Sequence, residues 1–332
     1  MTGTGIAPDN GVDANEIPST RPVTLFLCGD VMTGRGVDQI LPCPSDPLLH
    51  EPYVQSALEY VAMAEQTNGP ISKPVSFSYI WGDAPEELDR VRPAARIINL
   101  ETSITMSDHH ERKGINYRMH PANTPCLTAA KIVFAAGTID SGIEPDWAAT
   151  DSAPGIALLH DLSDETAALI GDRVAGMKGP GDIAVLSIHW GENWGYEIPR
   201  GHRVFTRKLI DLARIDVVHG HSSHHPKGIE IYKNKPIIYG CGDFLNDYEG
   251  IAGYEEFRSH LVLGYFATID SSAGNLLRLA MAPFQIKNFR LQQASTEDAA
   301  WLRSVMTREG RPLGSQIDLD RNRLILTWQR SS

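Results

Sequence analysis

Apolar residues in this chain form five short continuous runs, and each run ends in a side chain that can bind a metal or move a proton. The first run is VTLFLCGD, from Val23 to Asp30. Continuous apolar runs of this length predict strands that are buried on both faces. The four later runs are ARIINLE ending at Glu101, DIAVLSIHWG carrying His189, IDVVHGH carrying His221 and KPIIYGCGDF carrying Asp243.

The segments between these runs predict helices. Thr124 and Pro125 open TPCLTAAK with a capping hydroxyl and a proline at the first helical position, and Ser163 precedes the acidic first turn of SDETAALIGDRVAG. The segment RGHRVFTRKLIDLARI repeats apolar positions at helical spacing. Strands that alternate with helices predict a layered α/β core.

The pattern changes after about Glu255. HLVLGYFATID, LLRLAMAPFQI and FRLQQAS predict strands joined by turns, followed by a helix, TEDAAWLRSVMTREG, that Ser295 caps, and by a last strand, RLILTWQ. We expect these antiparallel strands to complete a second sheet. Residues 42–92 are rich in Pro, Ser and aromatic residues, and they predict a long loop of the kind that often carries function.

Length and composition indicate a globular protein with one large domain or two modest ones. The chain has 332 residues, 42% of them hydrophobic, which is enough to bury a sizeable core. Residues 1–22 are rich in Gly, Pro, Asn, Asp and Thr, and we expect them to be a disordered leader. The remainder, residues 23–332, is expected to form a single domain.

Charge and composition argue against nucleic acid as a partner and against insertion into a membrane. The formal net charge is -11 and no basic stripe is present, so the chain offers no field for binding nucleic acid. No apolar run approaches the ~20 residues that a membrane helix needs, and the leader lacks the features of a signal peptide. Four cysteines without a CxxC pair favour a reducing, cytoplasmic location, although one disulfide is compatible with the sequence.

Several strand ends carry candidate metal ligands. Ligands of α/β proteins gather beyond the carboxyl ends of strands, where side chains from separate strands converge. Two carboxylates and three imidazoles form a mixed oxygen and nitrogen set that suits Zn, Mn or Fe, whereas calcium prefers oxygen alone. One or two such ions would polarise a phosphoryl or acyl group for hydrolysis. The candidates are Asp30, Glu101, His189, His221 and His224.

Each candidate also has an ordinary interpretation. An aspartate after a strand, such as Asp30, is commonly a turn or cap residue, and Glu101 alone is no stronger. His189 alone fits a core histidine, and the loop VVHGHSSHHPKG fits an exposed polar loop. One candidate at each of so many strand ends favours a shared metal pocket over independent coincidences.

Five segments together resemble a known family. In order, GDVMTGRGVD, INLETSIT, SIHWGENWGYEIP, VVHGHSSHHPKGIEIY and KPIIYGCGDFLNDYEG resemble the motifs of poly-gamma-glutamate capsule biosynthesis proteins of the CapA/PgsA type. That family looks like a branch of the calcineurin-like metallophosphoesterase superfold. The resemblance implies an α/β fold in which a layered β-sandwich is flanked by helices.

The resemblance also implies roles for individual residues. It implies catalytic roles for Asp30, His189 and His221, and it supports the five metal ligands named above. Asp243 stands where the family usually has asparagine. Contacts with substrate are expected from Arg35, Asn99, Arg118, Trp190 and Asp243.

One family motif is missing. The family carries an Asn-Asn-His segment between the second and third motifs, and this chain has none. Roughly one βαβ unit, ~30 residues or more, is absent at a join near Ile132. Two interpretations stay open: a shortened gene product, or a compact homologue with compensating changes.

The sequence therefore leaves three functional hypotheses. The first is a metal-dependent hydrolase or transferase that acts on an anionic polymer or a phosphoester, in association with a polymer-synthesis complex. The second is a catalytically silent metal-binding scaffold of such a complex, or an inactive shortened form. The third is a soluble α/β protein whose histidine loop binds nothing.

Overall fold

A computed structural model describes residues 21–110, 114–128, 136–138 and 157–329, with only the backbone described at 136–138. Helices in these ranges are α1 (Arg35–Ile40), α2 (Ala57–Asn68), α3 (Ala84–Val91), α4 (Pro125–Thr128), α5 (Asp164–Met177), α6 (Arg200–Asp211) and α7 (Thr296–Gly310). Strands are β1 (Pro22–Val31), β2 (Ala95–Leu100), β3 (Ser103–Ile104), β4 (Arg118–Met119), β5 (Ala136–Thr138), β6 (Leu158–Leu159), β7 (Val185–His189), β8 (Val217–His221), β9 (Ile229–Tyr232), β10 (Lys235–Ile238), β11 (Asp243–Leu245), β12 (Leu261–Asp270), β13 (Asn275–Lys287), β14 (Arg290–Gln293), β15 (Ser315–Asp320) and β16 (Arg323–Trp328).

Most of these strands belong to two sheets. The eight-stranded sheet has the order β11-β1-β12-β13-β16-β15, with β2 also paired to β1 and β14 to β13. The six-stranded sheet has the order β6-β5-β7-β8-β10-β9. Strands β3 and β4 form a small separate pair.

The two sheets pack face to face. Along β1, Leu25 and Leu27 face a core shared with Val217 and Ile238 of the six-stranded sheet, whereas Phe26 and Cys28 face the opposite side. This alternation is the period of two that a strand imposes on its side chains. Both faces of β1 are therefore buried, as its continuous apolar run predicts.

Helices cover the outer face of each sheet. Phe205 and Leu209 of α6 pack with Ile188 and Val218 of the six-stranded sheet. On the other side, Tyr60 of α2 packs on the outer face of the eight-stranded sheet, together with residues of α1 and α3. The predicted α/β fold, a layered sandwich flanked by helices, is confirmed.

The C-terminal antiparallel strands complete the larger of the two sheets, and their pairing with β1 is the part that the sequence does not predict. They join β1, because β12 pairs antiparallel with it from Pro22↔Asp270 to Leu27↔Tyr265. Strands β2 and β11 run parallel to β1, so its sheet is mixed. The strand ends that carry the candidate ligands consequently come from two sheets rather than from one rim.

The predicted long loop over residues 42–92 contains two helices. Ser56 begins α2 with a capping box, in which its side chain and that of Glu59 each accept a main-chain hydrogen bond. Strand β15 also went unpredicted. Ser163 and Ser295 cap α5 and α7 as the sequence predicts.

Three predictions from the sequence concern the N-terminal leader, the join near Ile132 and membrane-spanning helices. Residues 1–20 of the expected leader lie outside the described part, and β1 already begins at Pro22. The join near Ile132 also lies outside the described residues. Among the described residues, no helix is both long and apolar enough to span a membrane.

Candidate metal centre

The ends of five strands meet at one place. Asp30, near the end of β1, lies in register with Asn99 of β2 and with Asp243 of β11. On the opposing sheet, His189 and His221 close β7 and β8 and are directly opposite each other. The site therefore lies between the two sheets, with carboxylates from one and imidazoles from the other.

Two groups of potential ligands share one carboxylate. Ligand atoms of Asp30, His189 and His221 all lie within 4.8 Å of one another, and so do those of Asp30, His224 and Asp243. A shared carboxylate between two sets of ligands is an arrangement that could hold one or two divalent ions. Asp30 is fully buried and lies at the centre of both groups.

Asp30 is a carboxylate in a place that disfavours its charge. It accepts hydrogen bonds from Asn99 Nδ2 at 2.8 Å and from the main-chain N–H of Ser222 at 3.1 Å. Burial, helped by the nearby charge of Glu101, nevertheless raises its pKa from 3.8 to about 7. A bound cation would supply the positive charge that the ionised form lacks.

Glu101 lies at the more open side of the cluster. Its Oε2 is 3.1 Å from His189 Nε2, which in turn is 4.0 Å from Asp30 Oδ2. Burial would raise the pKa of Glu101, but His189 outweighs this and lowers it to about 2. Glu101 belongs to neither three-residue group, and its contact is the kind by which a carboxylate orients a histidine.

The His221 ring provides the clearest test of fit to a metal. Its Nδ1 is fully buried, has no hydrogen-bond partner among the residues that the structure describes, and lies 3.4 Å from Asp30 Oδ1. Burial and the neighbouring His189 lower the pKa of His221 well below its usual value, so the ring is neutral. A buried imidazole nitrogen and a carboxylate oxygen at this distance fit a divalent transition metal between them.

His224 is held by a second carboxylate. Asp243 Oδ1 is 2.9 Å from His224 Nδ1, and Asp243 Oδ2 accepts a hydrogen bond from Asn246. Burial would lower the pKa of His224, but Asp243 raises it. Asp243, predicted as a substrate contact, thus lies beside the histidine that it orients, with Tyr248 Oη 3.4 Å from the other ring nitrogen.

The main chain after His221 is strained. Ser222 has a φ of 103°, which residues with a side chain rarely adopt. In this conformation its N–H donates to Asp30 and its hydroxyl donates to Gly191 O. Strain of this kind persists where the surroundings hold it, and it is often found at functional sites.

Two of the predicted substrate contacts, Arg35 and Trp190, are buried in the structure. The Arg35 guanidinium is enclosed by the carboxylates of Asp247 and Glu51, and it is 3% exposed. Trp190 is also buried, donates its indole N–H to Tyr239 O and stacks on a histidine ring. Both side chains are held by interior partners, although Arg35 also lines the cavity that contains Arg118, and contact of either residue with a substrate stays a prediction.

The other predicted substrate contacts have different surroundings. Arg118 lines a cavity of about 370 Å³ that also contains Asp46 and His50, and its guanidinium pairs with Asp108. Asn99 lies inside the cluster and donates to Asp30. Contact of either residue with a substrate stays a prediction.

Sequence reasoning missed two residues next to the ligands. Ser187 and His219 precede His189 and His221 by two positions, so each shares a strand face with a candidate ligand. Ser187 Oγ lies 2.8 Å from His219 Nδ1 and 3.1 Å from His221 Nε2. The period of two was a signal that could have identified both.

Comparisons with known proteins agree with the sequence resemblance. A protein of Mycobacterium tuberculosis named "Probable polyglutamine synthesis accessory protein" is 40% identical, covering 89% of this chain and 93% of that protein, in each of two strains. The "Capsule biosynthesis protein CapA" of Bacillus anthracis is 30% identical over 70 residues, which is 21% of this chain and 17% of that protein. A solved structure described as a novel phosphatase from Mycoplasma pneumoniae has a TM-score of 0.43 and 9% identity, covering 85% of this chain and 97% of that chain.

The comparisons also bear on the missing motif. The alignment with the mycobacterial relatives runs over 358 positions, more than the 332 residues of this chain, so those relatives carry residues that have no counterpart here. The family described as "Bacterial capsule synthesis protein PGA_cap" matches in two parts, residues 24–138 and 130–248, which meet where the sequence predicts a lost unit near Ile132. Together these two matches span more than half of the chain, and the chain belongs to this family of bacterial capsule synthesis proteins.

Proposed function

We propose that this protein is a metal-dependent member of the capsule synthesis family that acts in the biosynthesis of a poly-gamma-glutamate or similar capsule-type polymer. The observation that carries the proposal is the convergence of two ligand groups on Asp30. The names of its relatives support the pathway. A divalent Zn, Mn or Fe ion, bound once or twice, is the proposed cofactor.

The proposed ligands are Asp30, His189, His221 and His224, with Asp243 completing the second ligand group and Glu101 at the open side of the cluster as an additional ligand. When bound, such an ion polarises a phosphoryl or acyl group and makes water a better nucleophile near neutral pH. The residues of the chain orient this chemistry. Asn99 and the Ser222 N–H hold the Asp30 carboxylate, and Asp243 holds His224.

The proposed activity is hydrolysis or transfer on an anionic polymer or phosphoester. His189 Nε2 lies 4.0 Å from Asp30 Oδ2 and 3.1 Å from Glu101 Oε2, where it can bind a metal together with Asp30 while Glu101 orients the ring. His189, His221 and Asp30 are the proposed catalytic residues. This assignment needs no residue from the parts of the chain that the structure leaves undescribed.

A specific observation favours a second candidate, a metal-binding scaffold of a polymer-synthesis complex without turnover. The family match divides near Ile132, and the chain lacks the Asn-Asn-His segment there. Loss of a ligand-bearing unit would leave metal binding weaker and catalysis impaired. The two candidates differ in turnover and agree in metal binding.

One experiment separates these candidates. The protein is purified without chelator, its metal content is measured by inductively coupled plasma mass spectrometry, and hydrolysis of bis(p-nitrophenyl) phosphate and of poly-gamma-glutamate is followed. Asp30→Asn is compared with Asp38→Asn. Asp38 is a buried carboxylate of α1 that accepts a hydrogen bond from the Asn123 side chain.

Stoichiometric metal that is lost in Asp30→Asn and kept in Asp38→Asn supports the metal centre. Turnover with the metal supports the enzyme, whereas metal without turnover supports the scaffold. No metal in the wild-type protein, even after addition of Zn, Mn and Fe, would overturn the proposal.

We also propose a cytoplasmic location and a single domain over residues 23–332. All four cysteines, Cys28, Cys43, Cys126 and Cys241, are free thiols, as a reducing compartment favours. Strand β1 and the C-terminal strands β12, β13, β15 and β16 belong to one sheet. Cell fractionation and limited proteolysis test these points: recovery outside the cytoplasm contradicts the first, and two separately stable fragments contradict the second.

A further inference from the structure

A chain of buried hydrogen bonds runs from strand β1 to His221. The carbonyl oxygen of Cys28 lies 2.8 Å from His219 Nε2, and His219 Nδ1 lies 2.8 Å from Ser187 Oγ. The same Ser187 Oγ lies 3.1 Å from His221 Nε2. All three side chains, those of Ser187, His219 and His221, are buried, the two histidines completely.

The direction of each hydrogen bond follows from the first. A carbonyl oxygen can only accept, so His219 Nε2 carries the proton that Cys28 O receives. Complete burial favours a neutral His219 ring, whose Nδ1 then holds a lone pair. That lone pair must accept the single hydroxyl proton of Ser187.

The last bond then has only one direction. Because the Ser187 hydroxyl donates its only proton to His219, its oxygen accepts a hydrogen bond from His221 Nε2–H. A neutral His221 with its proton on Nε2 has its lone pair on Nδ1. That atom lies 3.4 Å from Asp30 Oδ1 and has no hydrogen-bond partner in the described residues.

We propose that Ser187 and His219 are positioning residues that fix His221 as the Nε2–H tautomer, so that Nδ1 faces Asp30 ready to bind a metal. The inference rests on the proposed function for its metal and on the hydrogen-bond chain for its tautomer. The chain of hydrogen bonds begins at Cys28, two residues before Asp30 in β1. It therefore also fixes the His221 ring of one sheet relative to the Asp30 carboxylate of the other.

The tautomer is tested in the metal-free wild-type protein. Long-range proton–nitrogen NMR of histidine-labelled protein distinguishes a protonated ring nitrogen from an unprotonated one, and the His221 signals are assigned by their absence from His221→Gln. We expect a protonated Nε2 and an unprotonated Nδ1. A protonated Nδ1 on His221 would overturn the proposal whether or not the protein binds metal.

The effect on metal is tested with Ser187→Ala and a matched control. Ser315→Ala removes another buried serine hydroxyl, which donates to Ile229 O away from the cluster. Ser187→Ala should lower the Zn affinity, measured by competition with a chromophoric chelator, about 10- to 100-fold, as loss of an outer-shell partner usually does. Ser315→Ala should leave the affinity within about twofold while costing similar stability.

Two further results decide the interpretation. Ser187→Thr keeps the hydroxyl and should restore most of the Zn affinity. Equal affinities for the Ser187→Ala and wild-type proteins, or mixed His221 tautomers in the wild type, would refute the positioning role. A wild-type protein that binds no Zn but shows the expected tautomer would refute the proposed function and leave the hydrogen-bond chain intact.

Discussion

Replacing Asp30 by asparagine should stabilise the metal-free protein at alkaline pH. Burial raises the pKa of Asp30 from 3.8 to about 7, so its ionised form is disfavoured in the folded state. One pKa unit corresponds to about 1.4 kcal/mol, which gives a cost of about 4 kcal/mol to folding once the carboxylate is ionised. Asparagine has no charge and avoids this cost.

The sign and the pH window follow from the raised pKa. Below 3.8 the carboxyl is protonated in both states and costs nothing, and the cost grows as pH rises to about 7. Asp30→Asn should therefore gain about 4 kcal/mol at pH 8 and about 2 kcal/mol at pH 5. The new amide can donate to His221 Nδ1 and accept from Ser222 N–H, while the Asn99 amide turns to accept.

Urea unfolding in excess chelator at pH 8 and pH 5 measures this gain. The control, Asp38→Asn, should lose about 1–3 kcal/mol at both pH values, because its carboxylate accepts hydrogen bonds from three donors. Added Zn should stabilise the wild type by about 4 kcal/mol at a thousandfold excess over Kd and leave Asp30→Asn unchanged. An Asp30→Asn protein that is less stable than wild type at pH 8 without metal would refute the reasoning.

Three other substitutions test the fold. Arg35→Met should cost about 3–5 kcal/mol in urea unfolding, because it leaves two buried carboxylates unpaired; a loss below about 1 kcal/mol would contradict the buried pairing. Ser295→Ala should cost about 1 kcal/mol through the lost cap of α7, with exposed Ser304→Ala within about 0.5 kcal/mol as its control. Gly29→Ala should prevent folding, because its Cβ would lie 1.6 Å from the main-chain carbonyl oxygen of Gly242, just before β11. The control Gly176→Ala, which has open space around its Cβ, should raise the thermal midpoint slightly. A folded Gly29→Ala protein would contradict the close approach of Gly29 to Gly242.

The strands and their ends could be predicted because burial on both faces leaves a continuous apolar run. Asp30 and His221 end such runs, and both lie in the cluster. Helix caps at Ser163 and Ser295 were readable for a local reason, since a cap depends on residues three positions apart. The capping box of Ser56 is an equally local signal, but it lies in a Pro-rich segment whose composition predicts a loop.

Long-range partners could not be predicted. Strand β12 could pair with β1 or begin a second sheet with the same apolar pattern, and only the folded chain decides between them. Arg35 has the position of an anion contact in the sequence, but its partner Asp247 lies 212 residues away. The role of His219 depends likewise on the Cys28 carbonyl, 191 residues distant.

The most direct test of the metal centre is an anomalous diffraction map. Crystals of the protein loaded with Zn are measured above and below the Zn absorption edge. The account predicts a peak about 2.0–2.2 Å from an Asp30 carboxylate oxygen and from the ring nitrogens of His189 and His221. A map with no peak there, or with Zn bound only elsewhere on the protein, would contradict it.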